Sequence, residues 1–366
     1  MKKFIFIALA ASMAFASCVK TETTKNTESV VEVSLPDNVV YTRAIQDPVA
    51  DQSETAIADV SVFLINSGSN SVVKQVDFEP AEITAQKKRI EDVPAGVDRV
   101  IVVANIPSTE TAIKTVPTAT GVRNYAFSIA EQNNSTGVAS KTLMGEGVPA
   151  TATDPNPDTH NYKAVDIALS SVTARIEIGA VKPGTGIVDV ELVGVWINNY
   201  YTDGSRSGVQ LNPSSSTYWI TSPLASTSPS ATAFTPSITN AYVPTQYFDS
   251  ASALVELDAN SKAYTYHVFG GNLPHVILLV TGKYDTDYVV DGKEYFMGWV
   301  TFNKYNDGTG WITTMENNYI YKMGVGTKGI EITPEIITPE PEQEDFDLGI
   351  ECTITPWTAK DVTPGV

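Results

Sequence analysis

Gly324, Gly326 and Gly329 match G-x-G-x-x-G, the spacing that lets backbone amides approach a pyrophosphate where a strand turns into a helix. The residues that follow, Ile330-Glu331-Ile332-Thr333-Pro334, cannot open a helix, so the context excludes a dinucleotide site. Asp285, Asp287, Asp291 and Gly292 supply oxygens as a calcium loop does, but their spacing is wrong and Phe296 stands where a bidentate glutamate is required. They read as hairpin residues. His160, His267 and His275 have no cysteine or carboxylate at ligand spacing, and no Gly-x-Ser-x-Gly elbow occurs. The sequence thus assembles no catalytic, cofactor or metal site.

Two residues point to covalent processing instead. Lys2 and Lys3 precede an apolar run over residues 4–11, Ser12 interrupts it, and residues 13–17 lead into Cys18, the arrangement of a secretory signal over residues 1–17. The run is shorter than the ~20 residues a spanning helix needs. Phe15-Ala16-Ser17-Cys18 resembles a lipobox, in which a lipid joins the cysteine after cleavage, with Phe15 where leucine is usual. A plain signal with an incidental cysteine is the other reading. Residues 19–29 are polar and aperiodic, as a tether is. Val30, Val31 and Val33 then form strand-like material, a turn follows at residues 35–38, and Val39-Val40-Tyr41 lead to Thr42-Arg43-Ala44. The polar, turn-rich residues 45–56 put Arg43 on an accessible loop where proteases cut, or leave it a surface arginine without a role.

At the other end, Leu348, Ile350, Cys352 and Ile354 alternate with Gly349, Glu351, Thr353 and Thr355, the period of a half-buried strand. Cys352 reads as a small apolar core residue. Ahead of it, residues 331–345 (EITPEIITPEPEQED) read as an extended, self-repelling linker. Such a strand either folds back onto its own domain's edge, since closing a short loop costs little, or pairs with a neighbouring molecule.

The elements between these ends must form the body. A chain of 366 residues is long enough for two domains. Its 24 basic against 42 acidic residues, a formal charge of -18, repel phosphate backbones and exclude nucleic acid as a partner. With Cys18 in the signal region, Cys352 has no disulfide partner in the body. DVSVFLI from Asp59 alternates as a strand, and RVIVVANI from Arg99 is apolar without a break and so buried on both faces. Short helices are expected over residues 82–90 and 108–114, the second with Ser108 as N-cap. Loops are expected at residues 133–137, 151–161 and 221–237. A new sheet begins at Val172, with Ala174, Ile176 and Ile178 facing one way and Thr173, Arg175 and Glu177 the other, which places the boundary close to Ser170. Strands over residues 188–197, 262–269, 276–284, 288–302 and 318–325 continue it, with Asp291-Gly292 as a two-residue hairpin turn. Short strands and turns at regular intervals indicate an all-β sandwich. Trp196, Trp219, Trp299, Trp311 and Trp357 could line a sugar site, although aromatic residues at strand positions are more often core.

Taken together, the signal at Cys18, the strand ending in Arg43-Ala44, two all-β units, NYIYK at residues 318–322, the acidic proline linker and a last strand ending in Trp357 resemble the fimbrillins, or type V pilins, of Bacteroidales. The resemblance implies no enzyme and no cofactor. It implies two transthyretin-like sandwiches, at residues 44–170 and 171–330, and a lipidated precursor held at the outer membrane through Cys18, with a propeptide over residues 18–43. It further implies cleavage between Arg43 and Ala44 by an arginine-specific protease. Residues 346–366, with Leu348, Ile350, Cys352, Ile354 and Trp357, would serve as a strand donated to another copy of the chain. The partners so implied are further copies, accessory anchor and tip subunits, and host receptors or other bacteria. Asp249-Ser250-Ala251 resembles the short O-glycosylation signal of these bacteria, with Ser250 as acceptor. Two other roles stay open: a fimbrial tip or anchor subunit, and a surface lipoprotein that binds glycans.

Overall fold

The computed structural model describes residues 29–35, 57–133, 141–156, 161–206, 209–210, 220, 223–229, 245–246, 264–324, 329–341 and 348–356. Cys18, Arg43, Ala44, Ser250, Trp219, Trp357 and His160 lie outside them.

The valine-rich segment β1 (Ser29–Ser34) becomes an interior strand. It runs antiparallel to β4 (Lys87–Ile90) on one side and parallel to β8 (Asn161–Asp166) on the other, and β7 (Ala150–Thr151) extends the sheet beyond β8. Facing it is a second sheet of β3 (Ser71–Asp77), β2 (Val60–Asn66), β5 (Arg99–Ala104), β6 (Leu143–Gly147) and β9 (Ser170–Ser171), in that order. Val31, Val33 and Leu35 pack between the sheets against Val62, Leu64, Val100, Val102, Val165 and Ile167. β-branched residues suit such a pleated, enclosed surface. β5 is buried on both faces, as its unbroken apolar run predicts, and Phe63, Ile65, Ile101 and Val103 point away from β1 into a second core.

That second core is shared with the C-terminal sheets. One is ordered β16 (Thr245–Gln246), β17 (Tyr264–Val268), β10 (Ala174–Ile178), β21 (Tyr319–Met323) and β24 (Thr353–Pro356). The other is ordered β12 (Ile187–Asn198), β18 (His275–Tyr284), β19 (Tyr295–Phe302) and β15 (Leu224–Ala225). Ile176, Tyr266 and Tyr321 of the first meet Val195, Leu278 and Val300 of the second. β12 carries register shifts between Ile187 and Asp189 and between Leu192 and Gly194, bulges of the kind that increase local twist. A short pair, β13 (Tyr200–Tyr201) and β14 (Val209–Gln210), lies beside them. The chain passes from the first group of sheets to the second between β9 and β10. The architecture is all-β, built of stacked sheets.

Several expectations need correction. Residues 82–90 are not one helix: α1 (Pro80–Ala85) ends where Gln86 adopts φ 53°, and the basic remainder is β4. Residues 108–115 form a 3-10 helix with Pro107, not Ser108, at the N-cap. Leu224–Ala225, expected in a loop, pairs with Phe296 and Tyr295 of β19. Arg175 and Glu177 do lie on the face opposite Ala174, Ile176 and Ile178, and that face too is buried, their side chains pairing at 2.8 Å. Asp291 and Gly292 do form the turn, with φ of 50° and 70° and a hydrogen bond from the Lys293 amide to the Val290 carbonyl. Positive φ at both central residues is what the tight hairpin turn requires.

The described part of the acidic linker, residues 331–341, is not an extended tether. β22 (Ile330–Ile332) runs parallel to β11 (Val181–Pro183), with Ile330 and Ile332 buried. The strap then crosses β19, where Thr338 and Trp299 exchange backbone hydrogen bonds of 2.8 Å each way. Gly298 permits this approach, since a Cβ there would stand 2.2 Å from Ile337 Cγ2. Buried isoleucines spaced two apart outweigh the proline and charge that read as repulsive.

Candidate functional site

β1 is enclosed by a sheet yet joined to the rest of the chain only through residues 36–59, the segment in which Arg43 lies. Its backbone is hydrogen-bonded on both sides. Both ladders continue at its C-terminal end, the Leu35 amide donating to the Gln86 carbonyl at 2.8 Å and the Ile167 amide to the Ser34 carbonyl at 2.9 Å. Val31, Val33 and Leu35 are 2%, 0% and 3% exposed. Burying each contributes roughly 1.5–3 kcal/mol, so the slot holds β1 by its apolar face as well as by its ladder.

The opposite face of the same strand, with Val30, Glu32 and Ser34, is also enclosed. Glu32 is buried between its neighbours, where the Tyr162 hydroxyl donates to Glu32 Oε1 at 2.7 Å and Lys87 Nζ lies 2.6 Å from the same oxygen. Pairing register explains the meeting, because Glu32 stands opposite Arg89 on β4 and Ala164 on β8, and residues two away share its face. Arg89 forms a bidentate pair with Asp154 at 2.8 and 3.0 Å and stacks 5.5 Å above the Tyr162 ring. Burial and the bond to Glu32 push the Tyr162 hydroxyl up to about 12, so it stays a donor throughout the physiological range. The hydrogen bond to Asp154 raises Arg89 further above its already high value. A buried carboxylate with two donors on it is an anchor, since leaving either the charge or its partners unpaired is costly.

The C-terminal strand is held differently. β23 (Gly349–Glu351) pairs parallel with β20 (Lys304–Asn306), and β24 pairs antiparallel with β21 at the sheet edge. Each has one neighbouring strand among the described residues, whereas β1 has two. Ile350 and Cys352 are buried, Leu348 and Ile354 pack partly against the same core, and Glu351 is exposed. Gly349 lies against the Trp311 ring, where a Cβ would stand 2.2 Å away. Burial, and to a lesser degree the charge of Asp307, pushes the Cys352 thiol up to about 11. In the single chain, therefore, residues 348–356 fold back onto their own body.

Of the residues singled out in the sequence, Leu348, Ile350, Cys352 and Ile354 pack against one core along the segment of β23 and β24, and none of them belongs to the core that β1 fills. Glu32, Tyr162, Lys87, Arg89 and Asp154 were not legible as a group; the one signal was a glutamate set among valines in VVEV. Among the aromatic candidates, Trp196 and Trp299 are core, edge to face at 5.3 Å, while Trp311 is 58% exposed. His267 is buried and His275 lies beside Asn199. No group of metal-ligating side chains occurs among the described residues.

Residues 29–195 match the sequence family described as major fimbrial subunit protein (FimA), the match beginning at the first residue of β1. No curated protein matches the chain. Two solved proteins of Parabacteroides distasonis assigned to cell adhesion share the fold. One is 12% identical with a TM-score of 0.52 over 91% of this chain and 99% of its own, and the other is 15% identical with a TM-score of 0.51 over 91% and 97%. A fimbrilin of Porphyromonas gingivalis aligns at 12% identity and a TM-score of 0.46 over 91% of this chain and 99% of its own. Through residues 29–195, with β1 as the first matched element, the chain is similar to the major fimbrial subunit protein (FimA) family.

Proposed function

We propose that the chain is a structural stalk subunit of a surface fimbrium, organised as two sandwich domains, at residues 44–170 and 171–330. It is exported as a precursor lipidated at Cys18, cut between Arg43 and Ala44, and polymerised by strand exchange. Removal of residues 18–43 takes β1 with it and leaves β4 and β8 as open edges over an apolar trough. Unpaired strand edges of this kind recruit a replacement strand. The alternating strand of residues 346–366 from another copy supplies one, and donation from each copy to the next is head to tail, so it does not close and yields a filament. The observation that carries this reading is the placement of β1: an interior strand, buried on both faces, tied to the body by one segment, and that segment contains Arg43.

N-terminal sequencing of the surface-exposed form tests it. A start at Ala44 is expected. A mature chain that keeps β1 and a lipidated Cys18 overturns it in favour of an anchor subunit or a tethered glycan-binding lipoprotein.

A further inference from the structure

β1 and the C-terminal strand carry the same pattern. Residues 29–35 read SVVEVSL and residues 348–354 read LGIECTI. Laid side by side, Val31, Glu32, Val33, Ser34 and Leu35 fall on Ile350, Glu351, Cys352, Thr353 and Ile354: apolar, glutamate, apolar, small hydroxyl, apolar. The three apolar positions of β1 are the ones that fill the trough, and the glutamate is the one buried on the opposite face.

An alternating strand alone does not fix how it sits, because a slide of two residues returns apolar side chains to the same face. Three registers therefore keep apolar side chains in the trough, Ile350, Cys352 and Ile354 unshifted, Leu348, Ile350 and Cys352 with one slide, and Cys352, Ile354 and Pro356 with the other. They differ on the polar face. A slide one way places Gly349 where Glu32 lies and Glu351 where Ser34 lies. A slide the other way places Thr353 there and buries Glu351 in the position of Val30, which is 1% exposed. Only the unshifted register returns a carboxylate to the Tyr162 hydroxyl and the Lys87 ammonium.

We propose that residues 348–354 of a second copy enter the β1 slot with Glu351 in the place of Glu32, and that this carboxylate sets the register of assembly by meeting Tyr162 and Lys87. The inference rests on strand exchange as the assembly route. In its own body Glu351 is exposed, so moving it into the slot breaks no buried pairing of its own while satisfying two donors that the departure of β1 strands.

Cys352 makes the register measurable. After cleavage at Arg43 it is the chain's one cysteine, and in the unshifted register it takes the place of Val33, whose ladder partner is Lys88. A slide of two puts it opposite Ile90 in one direction and opposite Gln86 in the other. Full-length precursors carrying Lys88→Cys, Ile90→Cys or Gln86→Cys are cleaved, allowed to polymerise, oxidised mildly and run on a non-reducing gel. A disulfide-linked ladder from Lys88→Cys alone is expected, directly facing strand residues being within bridging distance. A ladder from Ile90→Cys or Gln86→Cys instead overturns the register while leaving strand exchange intact. Polymer without a ladder from any of the three overturns both.

A second experiment isolates the carboxylate. The double change Glu351→Thr with Thr353→Glu keeps the tail's composition and moves the charge by two residues. The ladder should then pass from Lys88→Cys to Ile90→Cys. A ladder that stays with Lys88→Cys overturns the role assigned to Glu351.

Discussion

The Tyr162 hydroxyl donates a 2.7 Å hydrogen bond to the Glu32 carboxylate across 130 residues of chain, and it does so from the strand that flanks β1 on its parallel side. Replacing Tyr162 by Phe removes that donor and leaves a buried carboxylate with Lys87 as its remaining strong partner. A hydrogen bond to a charged group contributes about 1.5–3 kcal/mol, so the precursor should lose about that much in urea denaturation and release β1 faster after cleavage. Unchanged stability and release would show that the Glu32 anchor does not hold the strand.

The same hydroxyl gives a pH signature. Its folded value lies at about 12, above the ordinary tyrosine value near 10. A raised folded value means that the folded state keeps a proton the unfolded state gives up, so the contribution is complete below pH ~10 and is lost as pH rises toward ~12. Between these limits the wild-type precursor should lose stability more steeply than the Tyr162→Phe variant. Parallel losses in the two proteins would remove Tyr162 from the alkaline transition.

The strand pattern of this fold is written locally, and what encloses it is not. DVSVFLI and the Asp291-Gly292 turn were legible because period two and a left-handed turn need only adjacent residues. KKRI reads as the end of a helix because it becomes a strand only when β1, more than fifty residues earlier, lies beside it. Arg175 and Glu177 alternate with Ala174, Ile176 and Ile178 as in any strand with two faces, and burial of their face is a tertiary event with no mark in the alternation. The Glu32 anchor failed to appear for the same reason, its partners Tyr162 and Lys87 being brought in by two different strands.

The strap over β19 was hidden by its own composition, and it can be tested through Gly298. A methyl group there meets Ile337 at 2.2 Å, far inside contact distance, so Gly298→Ala must push the strap off the sheet. Overpacking of this kind costs about 1–3 kcal/mol. The expected readout is a lower melting temperature together with faster proteolysis near Glu340, and adding Ile337→Ala should restore both. If Gly298→Ala leaves melting and proteolysis as they are, the strap does not lie against β19.

Cys352 reports whether the C-terminal strand is docked. Burial lifts its thiol from about 9 to about 11, which lowers the thiolate fraction near neutral pH about 100-fold, and the thiolate is the reactive form. Alkylation of the precursor by iodoacetamide should therefore be slow below pH 9. Ile350→Ala, which removes a buried neighbour on the same strand, should speed it at least tenfold by loosening the edge pairing. Rapid alkylation of the unaltered precursor would mean that the strand is not held on its own body in solution.

Exchange between copies needs both a vacated slot and a strand willing to leave its first site. The tail is paired along one side at β20 and one side at β21, whereas the slot offers β4 and β8 together, so moving a tail from the first site to the second gains a ladder. Arg43→Ala keeps β1 covalently in place and denies the tail that gain, so soluble precursor and no polymer are expected by size exclusion and electron microscopy. Deletion of residues 346–366 leaves the slot able to receive but the subunit unable to give. Mixed with cleaved wild-type subunits at one part in ten, the truncated form should shorten filaments several-fold by terminating growth at one end. Filaments of normal length from Arg43→Ala, or end-to-end assembly of the truncated form alone, would place the donor elsewhere in the chain.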